Sequence, residues 1–296
     1  MKIGIFGYPI ENEEIEFIYN IIDFIEKDVD KVYIHKPFFD FLVNYFDVII
    51  PHTKLFTTPD EVPSCLDVMI SIGGDGTFLE TVSYIKDKKI PILGINRGRL
   101  GFLANVSKVE VERALSLIAE KKYTIEKRVL LKIETKDRTN LHSDFPYALN
   151  EVTIHKKDTA SMISIKTFVN NEYLNTYWAD GLIISTPTGS TAYSLSVGGP
   201  IVVPQSKNII ISPIAPHNLT VRPLVLPDDV TLTFKVNSRS GNFLVTMDYR
   251  SEVFDNEVVF TVKKAEYEIS IIKLPDASFF RTIRNKLMWG LDKRTK

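Results

Sequence analysis

Val68-Met69-Ile70-Ser71-Ile72-Gly73-Gly74-Asp75-Gly76-Thr77 decides the fold of the amino-terminal part of this chain. An unbroken apolar run leads into glycines around one carboxylate and then into a segment with helical spacing, so the stretch reads as strand, turn and helix. Glycine tolerates φ > 0 and lets main-chain amides approach a ligand with no Cβ between them. A helix expected to begin near Phe78 adds a field that favours anions. The turn reads as a phosphate-handling loop with a base, Asp75, built into it. The same residues also fit a tight turn whose aspartate only caps the next helix, and short glycine motifs match by chance.

Outward from this stretch, residues 1–105 alternate short apolar runs with helical periodicity, which predicts a Rossmann-like α/β domain with a largely parallel sheet. Met1 to Phe6, Val32 to Ile34, Val68 to Ile72 and Ile90 to Ile95 read as strands, with Val48-Ile49-Ile50 a further apolar run. Ile15, Ile18, Ile22 and Ile25 lie at helical spacing, and helices are expected around Phe39 to Phe46 and Phe78 to Ile85. The glycine loop then sits at the carboxyl end of a strand, where open α/β sheets bind ligands. Residues 106–270 begin with a helix-like Val109 to Ala119 and then change texture. Leu130 to Ile133, Glu151 to Ile154, Ile163 to Ile165, Leu182 to Ile184, Leu232 to Phe234, Val258 to Phe260 and Ile269 to Ile271 predict an all-β, sandwich-like domain. The tail, 271–296, contains an amphipathic helix that Asp276 or Ser278 can cap and Gly290 can end.

Composition bounds the partners. The chain has 296 residues, 44% of them hydrophobic, and 36 Lys and Arg against 37 Asp and Glu, for a net charge of -1. That balance argues against nucleic acid and a charged membrane surface as partners, so an anionic ligand must be held by local geometry. Cys65 is the single cysteine, which excludes an internal disulfide and fits a reducing, cytoplasmic setting. No apolar run has the length of a signal peptide core or a membrane span.

The second informative stretch runs from Asp180-Gly181-Leu182-Ile183-Ile184-Ser185-Thr186-Pro187-Thr188-Gly189-Ser190-Thr191-Ala192-Tyr193-Ser194 through Gly199-Pro200. Six hydroxyl side chains fall between Ser185 and Tyr193. They can satisfy ribose and amide hydrogen bonds while Tyr193 offers a flat face to a base ring; a Ser- and Thr-rich surface loop is the plainer alternative. A free aspartate has a pKa of about 3.9, so the carboxylate expected of Asp75 suits proton abstraction from a hydroxyl in phosphoryl transfer. There is no P-loop motif, Gly4-Ile5-Phe6-Gly7 lacks the third glycine of a dinucleotide fingerprint, and Ser190 has no nucleophile-elbow motif around it. Histidines 35, 52, 142, 155 and 217 are scattered without metal-ligand spacing, so no metal ligand is assigned.

Taken in order, Gly-Gly-Asp-Gly-Thr, Gly94-Ile95-Asn96-Arg97-Gly98-Arg99-Leu100-Gly101-Phe102-Leu103, Asn150-Glu151-Val152, the segment from Asp180, and Ser212-Pro213-Ile214-Ala215-Pro216-His217 resemble the NAD kinase family. The glycine loop is shared with lipid kinases and phosphofructokinases, whereas the segment from Asp180 to Pro200 is specific. The resemblance implies ATP- or polyphosphate-dependent phosphorylation of the adenosine ribose 2′-hydroxyl of NAD to give NADP, with a divalent metal such as Mg²⁺. It implies Asp75 as general base, Gly76 beside it, and Phe102 near the dinucleotide. Asn150 and Glu151 would hold ribose hydroxyls or phosphate through the metal, and Asp180 the nicotinamide end. Thr188, Thr191, Ala192, Tyr193, Ser194, Leu195 and Ser196 would line the adenine and ribose pocket, with Ala215 against the ligand. It further implies a final helix that returns to the first domain and a homodimer or homotetramer with sites near subunit contacts. Trp178 and Ser161 stand where relatives carry other residue types, and Asp248-Tyr249-Arg250 replaces the family's Asp-Gly-Gln.

Overall fold

The computed structural model describes residues 1–9, 15–46, 50, 52–98, 101–135, 145–158 and 161–290. They form two compact units, one of Met1–Lys127 with Ile269–Lys296 and the other of Arg128–Glu268.

In the first unit, strands β1 (Lys2–Gly7), β2 (Lys31–His35), β3 (Thr53–Phe56), β4 (Val68–Gly73), β5 (Ile92–Asn96) and β6 (Val106–Ser107) are interleaved with helices α1 (Ile15–Asp28), α2 (Lys36–Phe46), α3 (Asp75–Ile85) and α4 (Val111–Ala119). The hydrogen-bonded order is β5-β4-β1-β2-β3, and each of these pairs is parallel. All residues of β4 and β5 are buried, which is why they read as unbroken apolar runs: helices cover a parallel sheet on both faces. Ile18, Ile22 and Ile25 of the expected α1 row are buried, joined by Phe17, Ile21 and Phe24. Edge strand β3 escapes a reading by hydrophobicity because only Phe56 of its four residues is buried. Val48 and Ile49 lie outside the described residues.

The glycine loop departs from expectation in two ways. Helix α3 starts at Asp75, with Gly74 as its N-cap, rather than near Phe78. An acidic residue in the first turn is favourable at the positive end of the helix dipole and is compatible with this earlier beginning. The loop glycines also do not use φ > 0; among the described glycines only Gly198, Gly241 and Gly290 do.

The second unit is a sandwich of antiparallel layers. Its elements are the greater part of β7 (Thr124–Thr135), then β8 (Tyr147–Ala148), β9 (Glu151–Lys156), β10 (Ile163–Val169), β11 (Glu172–Ala179), β12 (Gly181–Ser185), the single-turn helix α5 (Tyr193–Ser196), β13 (Asn208–Ile214), β14 (Leu224–Pro227), β15 (Leu232–Asn237), β16 (Asn242–Met247) and β17 (Arg250–Asp255). Strand β18 (Val259–Lys273) begins in this unit and ends in the first. One layer has the order β14-β13-β12-β9-β16-β17; the other contains β11-β10-β15-β18. Val152, Ile154, Leu182, Ile184 and Phe243 of the first layer share a core with Ile165, Leu232, Phe234 and Phe260 of the second. Phe260 lies 5.4 Å from Phe234 and 5.5 Å from Phe254 between ring centroids, edge and tilted contacts that ring quadrupoles favour.

The expected strands at Val258 to Phe260 and Ile269 to Ile271 are two parts of the single 15-residue β18. Lys263, Lys264, Glu266 and Glu268 interrupt the apolar texture, yet the strand continues through them with Val262 and Ala265 buried. Beyond it, α6 (Phe279–Leu287) has Ser278 as N-cap and ends on Met288 in the left-handed conformation, before Gly290 is reached. Among the described residues no helix is long and apolar enough to cross a membrane.

Candidate active site

Asp75 emerges at the first position of α3, two residues after β4 ends. The turn that follows β5 supplies its hydrogen-bond donors. Oδ2 accepts the Phe102 amide at 3.0 Å, and Oδ1 accepts those of Leu103 at 3.1 Å and Ala104 at 3.0 Å. The turn is closed by the Gly101 amide on the Ala104 carbonyl at 3.0 Å and braced by Asn96, whose Nδ2 donates to the same carbonyl at 3.3 Å. A Cβ on Gly101 would stand 1.9 Å from Asp75 Oδ1, so only glycine lets the turn lie against the carboxylate. Lys286 Nζ on α6 is 3.5 Å from Oδ2 and 4.7 Å from the centre of the Phe102 ring, and Phe279 packs on that ring at 6.2 Å. The Asp75 side chain keeps 31% of its exposure, and a Cβ on Gly74 or Gly76 would meet no atom within 4 Å. The carboxylate is thus held by amides on one side and open on the other.

In the second unit, the turn Leu149-Asn150-Glu151 leads into β9 and is organised from two directions. Asp248, in the two-residue connection between β16 and β17, accepts the amides of Leu149 and Asn150 at 2.8 Å each and of Glu151 at 3.2 Å. Thr186 donates its amide to the Asn150 carbonyl at 2.9 Å and its hydroxyl to the Leu149 carbonyl at 2.6 Å. The Gly189 amide reaches Thr186 Oγ1 at 3.1 Å, and a Cβ on Gly189 would lie 2.2 Å from the Asn150 carbonyl oxygen. Close approach of two main chains therefore brings Asn150 and the hydroxyl-rich loop together.

Glu151 is buried, and its Oε2 has no hydrogen-bond partner. Burial first, and the neighbouring Asp248 charge second, push its pKa up to about 8, against the pull of the Tyr193 amide. Burial also pushes Asp248 up, while the three amides and Arg250 pull it back. Asp248 has the donors that favour charge, so the proton of this pair resides on Glu151. Arg250, its own pKa lowered by burial, donates to the main-chain carbonyls of Phe145 and Tyr147 and stacks on Phe145 at 4.9 Å.

The loop residues separate by exposure. Thr188 and Ser194 are buried: Thr188 Oγ1 accepts from Arg128 at 3.4 Å, and Ser194 Oγ lies 3.1 Å from Ser212 Oγ. Thr191, Ala192 and Leu195 are half-buried, while Tyr193 and Ser196 are exposed. Asp180 and Ala215 sit elsewhere. Gly181 pairs with Ile214, whereas Ser185, at the other end of β12, pairs with Glu151. At about 3.3 Å per residue the two ends are roughly 13 Å apart. Asp180 is bound to Lys156 at 2.7 Å, and Ala215 has φ 44°. Ser161 and Trp178, two of the departures noted in sequence, line one cavity of about 540 Å³ together with His217 and Arg239.

Sequence reasoning missed Asp248 as the organiser of Asn150 and Glu151, and Lys286 beside Asp75. Asp248 lies 97 residues from Glu151 and Lys286 lies 211 from Asp75, so neither pairing leaves a local signal.

The first unit presents a carboxylate at a helix start after a parallel strand and the second a hydroxyl-lined loop on a β-sandwich, features that suit a phosphotransferase acting on a hydroxyl. Comparison with known proteins narrows the class. Residues 3–123 match the family profile described as the ATP-NAD kinase N-terminal domain, and residues 149–274 match the ATP-NAD kinase C-terminal domain. The chain belongs to the NAD kinase family, whose activity is the phosphorylation of NAD to NADP. It is 45% identical to an NAD kinase of Flavobacterium psychrophilum over 99% of this chain and 100% of that protein. A crystal structure of yeast NADH kinase complexed with NADH has the same fold, with TM-score 0.88 and 23% identity over 100% of this chain and 89% of the other. An NAD kinase from Archaeoglobus fulgidus in complex with ATP follows with TM-score 0.71 and 24% identity, over 98% of each chain.

Proposed function

We propose that this NAD kinase transfers a phosphoryl group from ATP, or from polyphosphate, to the adenosine ribose 2′-hydroxyl of NAD, with Asp75 as general base. The observation that carries the assignment is the Asp75 carboxylate: three main-chain amides fix it, yet 31% of the side chain is exposed beside the open faces of Gly74 and Gly76. Amide donors hold the group in a fixed orientation, and Oδ2, which takes only one of the three amides, accepts the proton as the ribose oxygen attacks phosphorus. The ATP found with the Archaeoglobus kinase supports ATP as donor.

Substrate contacts are assigned to the remaining residues. Gly76 and Phe102 flank the acceptor. Tyr193 offers its exposed ring to adenine, with Thr188, Thr191, Ala192, Ser194, Leu195 and Ser196 around it. Glu151, neutral near pH 7, joins Asn150 as donor and acceptor toward ribose hydroxyls or phosphate without adding a negative charge beside a diphosphate. No group of three or more His, Cys, Asp or Glu among the described residues is arranged to hold a metal, so Mg²⁺ is assigned to the donor's phosphates. Its chemistry there is neutralisation of phosphate charge.

The separation of Asp180 and Ala215 from Glu151 along β12 supports a homodimer or homotetramer in which those two residues serve a second copy. The exposed, unpaired Cys65 fits a cytoplasmic setting.

Incubation with NAD, Mg²⁺ and either ATP or polyphosphate tests the function, with NADP as the expected product; no product with either donor overturns it. For the assembly, mixing Asp75→Asn and Asp180→Ala subunits restores activity that neither variant has alone. Mixtures that stay inactive, or a monomeric mass by light scattering, reject the shared site.

A further inference from the structure

We infer that Lys286, on the carboxyl-terminal helix α6, is a positioning residue for Asp75, and that α6 is part of the catalytic apparatus as well as a packing element. The inference rests on the assignment of Asp75 as general base.

The two carboxylate oxygens of Asp75 are not equivalent. Oδ1 accepts two amides, from Leu103 and Ala104, and is covered by Gly101, on which no Cβ fits. Oδ2 accepts only the Phe102 amide and faces Lys286 at 3.5 Å. Oδ2 is therefore the oxygen left to receive a proton, and the ammonium stands beside it. A charge-assisted N–H···O bond closes to about 2.7–2.9 Å, so at 3.5 Å the lysine is near the carboxylate without being consumed by it.

The ammonium is held there by more than charge. It sits over the Phe102 ring at 4.7 Å, a cation–π contact, and the same ring packs against Phe279 on α6. Ile283, between Phe279 and Lys286 in sequence, is buried and anchors the helix. Arg113 of α4 forms an ion pair with Asp276, just before α6 begins. These contacts all lie within the first unit. The side chain of Lys286 is one-third exposed, as is that of Asp75, so ligand can reach both.

Such an arrangement has a defined use in phosphoryl transfer. The attacking hydroxyl must be oriented by a carboxylate that does not rotate, while negative charge gathers on the transferring group. Lys286 restrains Oδ2, and through it the direction in which Asp75 orients the attacking hydroxyl. Arg284, on the same helix and exposed, is not placed by any contact to Asp75 and serves as the control.

The test compares Lys286→Met, Lys286→Arg, Arg284→Met, Asp75→Asn and the Asp75→Asn/Lys286→Met double variant in the full chain. Lys286→Met is expected to lower kcat roughly 100-fold with KM for NAD held within about twofold and Tm unchanged. Lys286→Arg recovers most of the loss, and Arg284→Met behaves as the parent. The double variant is no slower than Asp75→Asn alone, because a residue that acts through Asp75 has nothing left to act on. The inference is overturned if Lys286→Met keeps kcat within about twofold of the parent, or if its effect multiplies fully onto that of Asp75→Asn. It is equally overturned if both Lys286 variants lose activity and Tm together, which is the mark of a structural role. Failure of the underlying reading shows separately, as a parent enzyme that makes no NADP or an Asp75→Asn variant with parental turnover.

Discussion

Asp75 and Asp248 each accept three consecutive main-chain amides, from residues 102–104 in the first unit and 149–151 in the second. The same construction serves opposite ends. Asp75 keeps part of its surface and has a lysine beside it, so the amides aim a group that still meets solvent. Asp248 is sealed, its carboxylate is spent on the turn that carries Asn150 and Glu151, and burial works against its charge. Both carboxylates take two amides on Oδ1 and one on Oδ2, so what separates them is exposure: one is open to solvent and the other is sealed. Substitutions at the two positions should separate turnover from stability.

The largest effect is expected at Asp75. Asp75→Asn keeps an acceptor oxygen for the amides and removes the base, so turnover should fall roughly 10³-fold while NAD affinity, measured by calorimetry, stays near the parental value. Parental turnover in this variant would remove Asp75 from proton transfer. Asp248→Ala reverses the pattern. Three amides lose their acceptor in a buried place, which should cost about 3 kcal/mol of unfolding free energy. KM for NAD should rise because Asn150 and Glu151 are no longer fixed. An unchanged denaturation midpoint would show that the turn holds itself.

Glu151 sharpens the contrast, since it has neither the amide set of Asp248 nor the exposure of Asp75. In the unfolded chain it ionises near 4.5, and in the folded chain near 8. Between those values the folded protein binds the extra proton. Its contribution to stability is complete below the lower value and is lost as pH rises through the upper one. Urea midpoints of ligand-free protein should therefore decline from about pH 5 to about pH 9, and Glu151→Gln should flatten that decline. A parental profile already flat across the range would mean that Glu151 is ionised throughout.

These contrasts also show what could be read beforehand. The parallel strands were legible because β4 and β5 are buried on both faces and so print as unbroken apolar runs. The glycine loop and the segment from Asp180 were legible because their chemistry is contiguous in the chain. The start of α3 was misread because Gly-Asp-Gly resembles a loop by composition, whereas Gly74 caps a helix that Asp75 opens. Strand β18 was read as two strands because its outward-facing lysines and glutamates hide the continuing inward row. The donors to Asp75 and the acceptor of the turn at Glu151 come from distant segments, and Asp180 and the hydroxyl-rich loop fall at opposite ends of β12 although the stretch from Asp180 to Pro200 reads as one block. Pairings of this kind exist only once strand register is set.

Gly76 offers the smallest and most selective break in the comparison. It lies in the first turn of α3, beside Asp75, with φ outside the left-handed region and no atom within 4 Å of the place a Cβ would take. Nothing in the ligand-free protein requires glycine there, and in a helix glycine is less favourable than alanine by about 0.5–1 kcal/mol. Gly76→Ala should therefore raise the unfolding free energy by that amount while lowering kcat/KM for NAD, because the added methyl enters space that the substrate needs. Gly101→Ala, on the enclosed side of the same carboxylate, is the opposing case: its Cβ would lie 1.9 Å from Asp75 Oδ1, and both stability and turnover should drop. If Gly76→Ala proved stabilising with undiminished kcat/KM, the open face of the loop would not be where the dinucleotide lies, and the accessible side of Asp75 would have to be sought elsewhere.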